Sequence, residues 1–178
     1  AESNRRLSLV EPFKCYRCGY CCRNLVVESP YGLVGMFLMP GERRLFPKEN
    51  IRPYLAVGMN GPDKNIAYQY AKMICPHITE DNRCKIYDQR PMTCRAYPLI
   101  EDARGIGLCG DCKWVQTMRH LLPFRLTKIA NKSMIQGYIQ IISLIRRNSI
   151  RRGWIYNLAD HQWHTWEEMV KVGGGLAL

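Results

Sequence analysis

Cysteine is the residue whose number and spacing point most directly to chemistry in this chain. The chain has nine cysteines among 178 residues, and four of them lie in residues 15–22, which read CYRCGYCC. Cysteines separated by two residues in a turn can present both thiolates to one metal, and Gly19 allows the backbone to fold tightly between them. The spacing therefore predicts a thiolate metal site rather than free thiols packed in a core.

The remaining cysteines lie further along the chain: Cys75, Cys84, Cys94, Cys109 and Cys112. Nine thiols are enough for two four-ligand sites with one to spare. Because neighbouring side chains diverge in a strand or a helix, Cys21 and Cys22 are expected to serve different sites, or one of them is inert. The final C-x2-C pair on its own also fits a redox pair or half of a zinc site.

The opening run C-x2-C-x2-C favours a 4Fe-4S iron-sulfur cluster, because bacterial ferredoxins hold a cubane cluster with the same run. A ferredoxin would place its next cysteine where this chain has Leu25. Zinc remains the alternative metal. Pairing Cys15 and Cys18 with Cys109 and Cys112 would give a tetrahedral four-thiolate zinc site.

The oxidation state of the thiols depends on the cellular compartment of the protein. The given chain opens with AESNRR and shows no apolar stretch typical of a secretory signal, so we expect reduced thiols in the cytoplasm. No stretch reaches the ~18 consecutive apolar residues that a membrane-spanning helix needs, so no transmembrane segment is expected. Clustered thiols in a reducing compartment favour metal ligands over disulfides.

Charge is distributed unevenly along the chain. The formal net charge is +11, with 16 basic and 12 acidic residues in 1–112 but 10 basic and 3 acidic residues in 113–178. No acidic residue occurs between Asp111 and Asp160. Such a stretch favours a polyanionic partner, either RNA or a ribonucleoprotein such as the ribosome, with an anionic membrane surface as the next choice. The predicted nucleic-acid contacts are Lys128, Lys132, Arg146, Arg147, Arg151 and Arg152.

Apolar periodicity and breaker residues predict a small set of elements. Short helices are predicted at 40–46 and 49–57, because proline begins the first and a glycine-containing turn follows the second. A strand is predicted at 66–70 and a hairpin at 77–87. The best helix is predicted at 126–145, where apolar residues recur at helical spacing opposite a basic face.

A family resemblance rests on these motifs together. The C-x2-C-x2-C-C opening, the later Cys-Pro, and residues 84–98, which read CKIYDQRPMTCRAYP, resemble the YkgJ-like CxxCxxCC cysteine-cluster family, described as a zinc- or iron-chelating domain. The resemblance covers roughly residues 13–112. The relatives in this family include flagellin lysine methylases. The resemblance implies a metal-associated set made of Cys15, Cys18, Cys21, Cys22, Cys75, Cys84 and Cys94.

These observations combine into one prediction. The fold is expected to be α+β, with a small, irregular, metal-stabilised cysteine-rich core at 1–112 and a basic helical C-terminal extension at 113–178. All nine cysteines are predicted metal ligands. The predicted function is iron-sulfur cluster binding in a module of a larger assembly, with a zinc-binding structural module as one alternative.

An enzyme is the other alternative, either protein lysine methyltransferase-like by the resemblance or a redox enzyme that uses the cluster. The sequence contains no glycine-rich cofactor loop, nucleophile elbow or carboxylate dyad, so no catalytic residue is predicted and a noncatalytic module is favoured.

Overall fold

A computed structural model describes residues 12–29, 32–102, 105–118, 130–148 and 152–168. Helices and strands alternate irregularly through these ranges, which confirms the α+β class. Among the described residues, no helix is long and apolar enough to cross a membrane.

The strands are β1 (Val27–Ser29), β2 (Gly32–Val34), β3 (Met36–Leu38), β4 (Ile51–Val57), β5 (Lys64–Tyr70), β6 (Leu99–Asp102), β7 (Gly105–Leu108), β8 (Gly153–Asn157) and β9 (Gln162–Thr165). The helices are α1 (Tyr20–Arg23), α2 (Met92–Ala96), α3 (Lys113–Met118) and α4 (Lys132–Asn148). Short 3-10 helices occupy Pro40–Leu45, Lys48–Asn50 and Tyr87–Gln89.

A five-stranded sheet in the order β3-β5-β4-β8-β9 forms the centre of the fold. All its neighbouring strands are antiparallel, with Ile51 opposite Tyr70 and Leu55 opposite Ile155. Two small hairpins, β1-β2 and β6-β7, lie outside this sheet. The second hairpin matters most for the site, because Cys109 follows directly after β7.

The helix predicted at 49–57 is wrong, because residues 51–57 form β4. Pro53 has no N–H to continue a helical ladder, and Ile51, Tyr54 and Val57 are β-branched or aromatic residues that fit a pleated strand. The pairing with β5 shifts register between Pro53 and Leu55, so a bulge accommodates the proline within the sheet.

The other element predictions agree with the structure where it describes them. The strand predicted at 66–70 is β5, and the hairpin predicted at 77–87 pairs through one isolated bridge. The helix predicted at 40–46 is present as a 3-10 helix. The long helix is α4, which begins at Lys132, so residues 130 and 131 of the predicted span are not helical and residues 126–129 lie outside the described ranges.

Three hydrophobic clusters organise the interior. The sheet core consists of Leu55, Val57, Ile66, Ala67 and Ile155, and it includes no cysteine. The Tyr70 cluster consists of Met36, Leu38, Phe46 and Tyr70, and Cys75 and Cys94 pack against it. The Trp114 cluster consists of Cys112, Trp114 and Val115. Cysteines therefore belong to or pack against the Tyr70 and Trp114 clusters, whereas none is named in the sheet core.

The segment beyond residue 112, predicted as a helical extension, contributes strands as well as a helix. β8 pairs with β4, and the fully buried Gln69 donates from Nε2 to the carbonyls of Pro53 at 2.7 Å and Tyr156 at 3.1 Å. Helix α4 packs closely against α2, because Gly137 faces the carbonyl of Met92. The domain boundary at 112/113 stays a prediction.

Candidate metal centre

The first cysteine loop has the backbone of a tight metal-binding turn. Arg17 and Gly19 have φ values of 52° and 75°, in the left-handed region that a sharp reversal requires. The N–H of Arg17 donates to Cys15 Sγ at 3.4 Å. An N–H aimed at sulfur stabilises the thiolate form that binds metal. Helix α1 follows at once and carries Cys21 and Cys22.

Cys75 is joined to the first loop through the backbone. Its N–H donates to the carbonyl of Cys22 at 2.8 Å, and the N–H of Leu25 donates to the carbonyl of Met73 at 3.0 Å. These two bonds hold segments that are about fifty residues apart in the chain side by side. They bring Cys22 and Cys75 close enough for their thiols to interact.

Cys84 and Cys94 come from two further elements. Cys84 pairs with Ile78 in the isolated bridge, so it lies at the base of the short hairpin. Cys94 lies on α2, and its sulfur is 3.5 Å from Sδ of Met36. Glu42 fixes the beginning of α2, because its Oε1 accepts the N–H of Met92 at 2.8 Å.

Four of these thiols lie close enough to interact electrostatically, and we call Cys22, Cys75, Cys84 and Cys94 the first thiol group. Burial raises the pKa of Cys75 to about 11, and the neighbouring Cys22 and Cys84 contribute to the rise. Burial also raises the pKa of Cys94, and the other three members add to that effect. Cys15 borders the group, because it interacts with Cys84 and with Cys21.

The sulfurs of Cys21 and Cys22 interact with each other, and the assignment of the two thiols to different sites stays a prediction. The hydrogen bond between the two sulfurs raises the pKa of Cys21 and lowers that of Cys22. The guanidinium groups of Arg23 and Arg90 also lower the pKa of Cys22. Cys22 is thereby the more readily ionised of the two thiols.

Cys18, Cys109 and Cys112 form a second thiol group. The N–H of Cys109 donates to the carbonyl of Pro98 at 2.8 Å, and the N–H of Cys112 donates to the carbonyl of Cys109 at 3.2 Å. Cys112 is 7% exposed and directly precedes α3. Its pKa is raised by burial, and then by the nearby thiols of Cys18 and Cys109.

Tyr97 was not among the predicted site residues, although it belongs to the CRAYP motif quoted above. Its hydroxyl is buried and interacts with the thiol of Cys109. Burial raises the pKa of Tyr97, and the adjacent Cys109, Cys112 and Cys21 raise it further. A buried hydroxyl donor therefore faces the second thiol group.

Arginine side chains lie close to the first thiol group. Arg90 lies 3.7 Å from the ring centroid of Tyr87 and donates from Nε to the carbonyl of the same residue at 2.9 Å. Its charge opposes the rise in the pKa of Cys84 and Cys94 that burial causes. A cavity of about 220 Å³ reaches Cys15, and its lining includes the cations Lys14, Arg17, Arg90 and Arg95.

The donor set fits a zinc or iron centre. All nine thiols are free, and thiolates are the ligands that both zinc and iron-sulfur clusters prefer. Thiols that raise one another's pKa can ionise together only when a cation offsets their charge, as a bound metal does. Over the described ranges, however, no three Cys, His, Asp or Glu side chains converge as closely as the ligands of a single ion.

The predicted nucleic-acid contacts that the structure describes lie at both ends of helix α4 and just beyond it. Lys132 begins α4, whereas Arg146 and Arg147 lie near its end, about 21 Å away at the usual helical rise. Arg152 is exposed, and its guanidinium lies 5.4 Å from the ring centroid of Trp154. The other two predicted contacts, Lys128 and Arg151, lie outside the described residues.

Comparison with known proteins agrees with the resemblance seen in the motifs. The model of the CxxCxxCC family, described as "Putative zinc- or iron-chelating domain", matches residues 14–117, which is more than half of the chain. No curated protein and no solved structure matched the chain. The chain therefore belongs to the CxxCxxCC family.

Proposed function

We propose that the protein binds a 4Fe-4S iron-sulfur cluster through the first thiol group and acts as a noncatalytic module in the cytoplasm. The observation that carries the proposal is the convergence of Cys22, Cys75, Cys84 and Cys94 from four separate segments into mutual electrostatic contact. Four thiolates are the ligand set of such a cluster. When bound, the cluster supplies a one-electron redox couple and a cross-link between the four segments.

The first thiol group offers four thiolates, which suit either a cluster or a single zinc ion. The opening C-x2-C-x2-C run is what favours the cluster in this proposal. Arg90 and Arg23 place positive charge beside Cys22, where a thiolate-ligated cluster concentrates negative charge.

The metal content of the purified protein tests this proposal. Protein purified without oxygen is expected to contain iron and acid-labile sulfide and to absorb visible light. Cys84→Ser and Cys94→Ser are expected to lose iron and sulfide together. Thr93→Ser is the matched control, because it lies next to Cys94 and keeps the hydroxyl that donates to the carbonyl of Phe37. A colourless protein with zinc and no sulfide would overturn the cluster and favour the zinc module.

We propose further that the C-terminal end of α4 docks on RNA or a ribonucleoprotein such as the ribosome. Arg146, Arg147 and Arg152 are all exposed at or just after this end of the helix. The sequence between Asp111 and Asp160 contains no acidic residue, although Glu168 lies close enough to Arg152 to interact with its charge. Phosphate groups are the matching partner for a predominantly basic surface.

Salt dependence of RNA binding tests the docking proposal. The protein is expected to bind single-stranded RNA with an affinity that falls steeply with salt, since each phosphate contact contributes about 0.7 to the log-log slope. The variant Arg147→Gln/Arg152→Gln should bind more weakly and lower that slope by roughly 1 to 2. Lys64→Gln on β5 is the charge-matched control. Salt-insensitive binding, or equal loss in the control, would reject this docking surface.

A further inference from the structure

We propose that the cavity beside Cys15 binds a small molecule through its phosphate group. The cavity has a volume of about 220 Å³, and its lining comes from the first cysteine loop, residues 87–95 and the beginning of α4. This binding site goes beyond the proposed function, because it uses cationic side chains and not the thiols.

The described lining of this cavity carries four positive charges. Lys14 and Arg17 come from the first cysteine loop, whereas Arg90 precedes α2 and Arg95 lies on it. Among the described residues, no carboxylate lines the cavity. A concave site of one charge sign attracts the opposite ion, and four cations match a phosphate dianion better than a singly charged carboxylate.

Two carboxylates lie near these cations but have other partners. Arg17 interacts with the charge of Asp81, but Asp81 forms a salt bridge with Arg83 at 2.7 Å. Arg95 interacts with the charge of Glu42, whose oxygens accept two backbone N–H groups. Over the described ranges, none of the four cations of the cavity forms a salt bridge. Their charge is therefore available to a ligand.

Two of the guanidinium groups are held in place by backbone carbonyls. Arg90 donates from Nε to the carbonyl of Tyr87 at 2.9 Å, and its guanidinium lies 3.7 Å from the centroid of that ring. Arg95 donates from Nε to the carbonyl of Arg90 at 2.9 Å and from a terminal nitrogen to the carbonyl of Asp88 at 3.1 Å. Both side chains are half-buried, so they lose little freedom when their remaining N–H groups bind phosphate oxygens.

The beginning of α4 forms another part of the wall. Ser133 and Met134, in the first turn of this helix, line the cavity together with Asn131. Asn131 accepts the N–H of Met134 at 3.0 Å and donates from Nδ2 to the carbonyl of Phe13 at 3.1 Å, so it joins α4 to the first cysteine loop. The partial positive charge at the N-terminal end of a helix adds to the attraction of the four cations for an anion.

The size and the apolar part of the cavity limit the ligand. Pockets for drug-sized ligands measure about 300–1,000 Å³, so this smaller cavity has room for a phosphate group with a small organic part. Phe13 and Met134 provide apolar surface for that organic part. Single-stranded RNA instead requires a groove that follows several nucleotides. A small phosphate ester therefore fits the cavity best.

Calorimetric titration of the protein purified without oxygen tests the proposal with three probes. Phenyl phosphate should bind as one molecule per chain. Inorganic phosphate should compete for the same site but bind roughly tenfold more weakly, because it buries no apolar group. Benzoate, which has the same ring and a carboxylate, should bind about tenfold or more weakly than phenyl phosphate.

Two variants locate the binding in the cavity. Lys14→Gln/Arg17→Gln removes two exposed cations and should weaken phenyl phosphate binding by about tenfold or more. Ser133→Leu keeps every charge but fills part of the cavity, so it should weaken binding by a similar factor. Because Ser133 lies outside the cysteine loops, this variant tests the cavity even if the double variant disturbs them. Lys64→Gln, exposed on β5 and outside the lining, is the control and should bind as wild type does.

Several results would overturn the proposal. They are no saturable binding of phenyl phosphate at millimolar concentration, equal binding of phenyl phosphate and benzoate, and unchanged affinity in Ser133→Leu. Inorganic phosphate that binds as tightly as phenyl phosphate would assign the cavity to free phosphate. Displacement of phenyl phosphate by single-stranded RNA would assign it to RNA instead of a small ligand. Iron content enters none of these measurements, so the phosphate site stands or falls independently of the cluster.

Discussion

The backbone N–H of Cys75 donates to the backbone carbonyl of Cys22 at 2.8 Å, so two residues of the first thiol group are joined independently of their sulfurs. The bond links the first cysteine loop to the loop after β5. Neither loop belongs to the central sheet, and few other bonds connect them in the described chain. A metal bound by this group would therefore reinforce a contact that the backbone already makes.

Removing the metal should open the cysteine loops and leave the central sheet intact. A centre that cross-links four segments stabilises the contacts between them, whereas the sheet core contains no cysteine. After chelation, amide hydrogen exchange should become fast at residues 12–25 and 73–85 and stay slow in β4, β5 and β8. Uniform loss of protection throughout the chain would show that the sheet cannot fold without metal.

Arg90 should raise the reduction potential of a cluster bound at the first thiol group. Its charge acts on Cys22, Cys84 and Cys94, and reduction adds negative charge beside it. Arg90→Gln is therefore expected to give a more negative potential in a spectroscopic redox titration. Arg83→Gln is the control, because Arg83 is exposed and pairs with Asp81 at 2.7 Å. Equal potentials for Arg90→Gln and wild type would contradict this role.

Substitution of Gln69 should destabilise the protein more than most other substitutions in the sheet. It accepts the N–H of Gly35 at 2.6 Å and donates to the carbonyls of Pro53 and Tyr156. Gln69→Leu leaves these buried groups without partners, at about 1 to 3 kcal/mol each, so a loss of roughly 3 kcal/mol or more is expected. Urea denaturation measures this loss in the free energy of unfolding. Gln162→Leu on the exposed edge strand should change stability by less than about 0.5 kcal/mol.

The sequence predicted the chemistry of the site better than its geometry. The spacing of Cys15, Cys18 and Cys21 indicates metal binding because a C-x2-C turn brings two thiols together by itself. No local pattern reports the distance between Cys22 and Cys75, which is set by backbone bonds between two loops. The grouping of the thiols therefore required the tertiary structure.

Prediction from local propensity also failed where pairing between distant strands determines the secondary structure. Residues 49–57 read as a short helix, yet β4 is a central strand because β5 and β8 pair with it on both sides. The partner strand β8 comes almost one hundred residues later. In the sequence, that segment is notable only for its basic and aromatic residues, and no strand was predicted there. The sequence also could not predict the role of Gln69, because its three hydrogen-bond partners lie on separate segments.

Replacing Gly137 by alanine should destabilise the protein, although alanine favours helices. A Cβ at this position of α4 would lie 2.7 Å from the carbonyl oxygen of Met92 and 2.8 Å from the N of Ala96. Alanine gains about 1 kcal/mol in helix propensity, but overpacking costs roughly 1 to 3 kcal/mol. Gly137→Ala is thus expected to lower the free energy of unfolding by about 1 kcal/mol in urea denaturation. Gln136→Ala, on the exposed face, should not lower it.

Glu42 should make stability depend on pH in a direction opposite to that of most carboxylates. Its two oxygens accept the N–H groups of Met39 and Met92 at 2.8 Å each, yet burial outweighs these bonds and raises the pKa of Glu42 above its ordinary value. As pH rises above about 4, the unfolded chain therefore loses this proton before the folded protein does. The contribution of Glu42 to the free energy of unfolding should then fall until pH passes the raised pKa.

The difference between wild type and Glu42→Gln isolates this effect, because glutamine does not titrate and both proteins carry the same metal ligands. Urea denaturation of the two proteins from about pH 4 to about pH 7 should show the stability of wild type declining relative to the variant and then levelling off. The exposed Glu80→Gln should show no such trend. A relative stability that rises with pH would mean that the two backbone N–H bonds dominate over burial at Glu42.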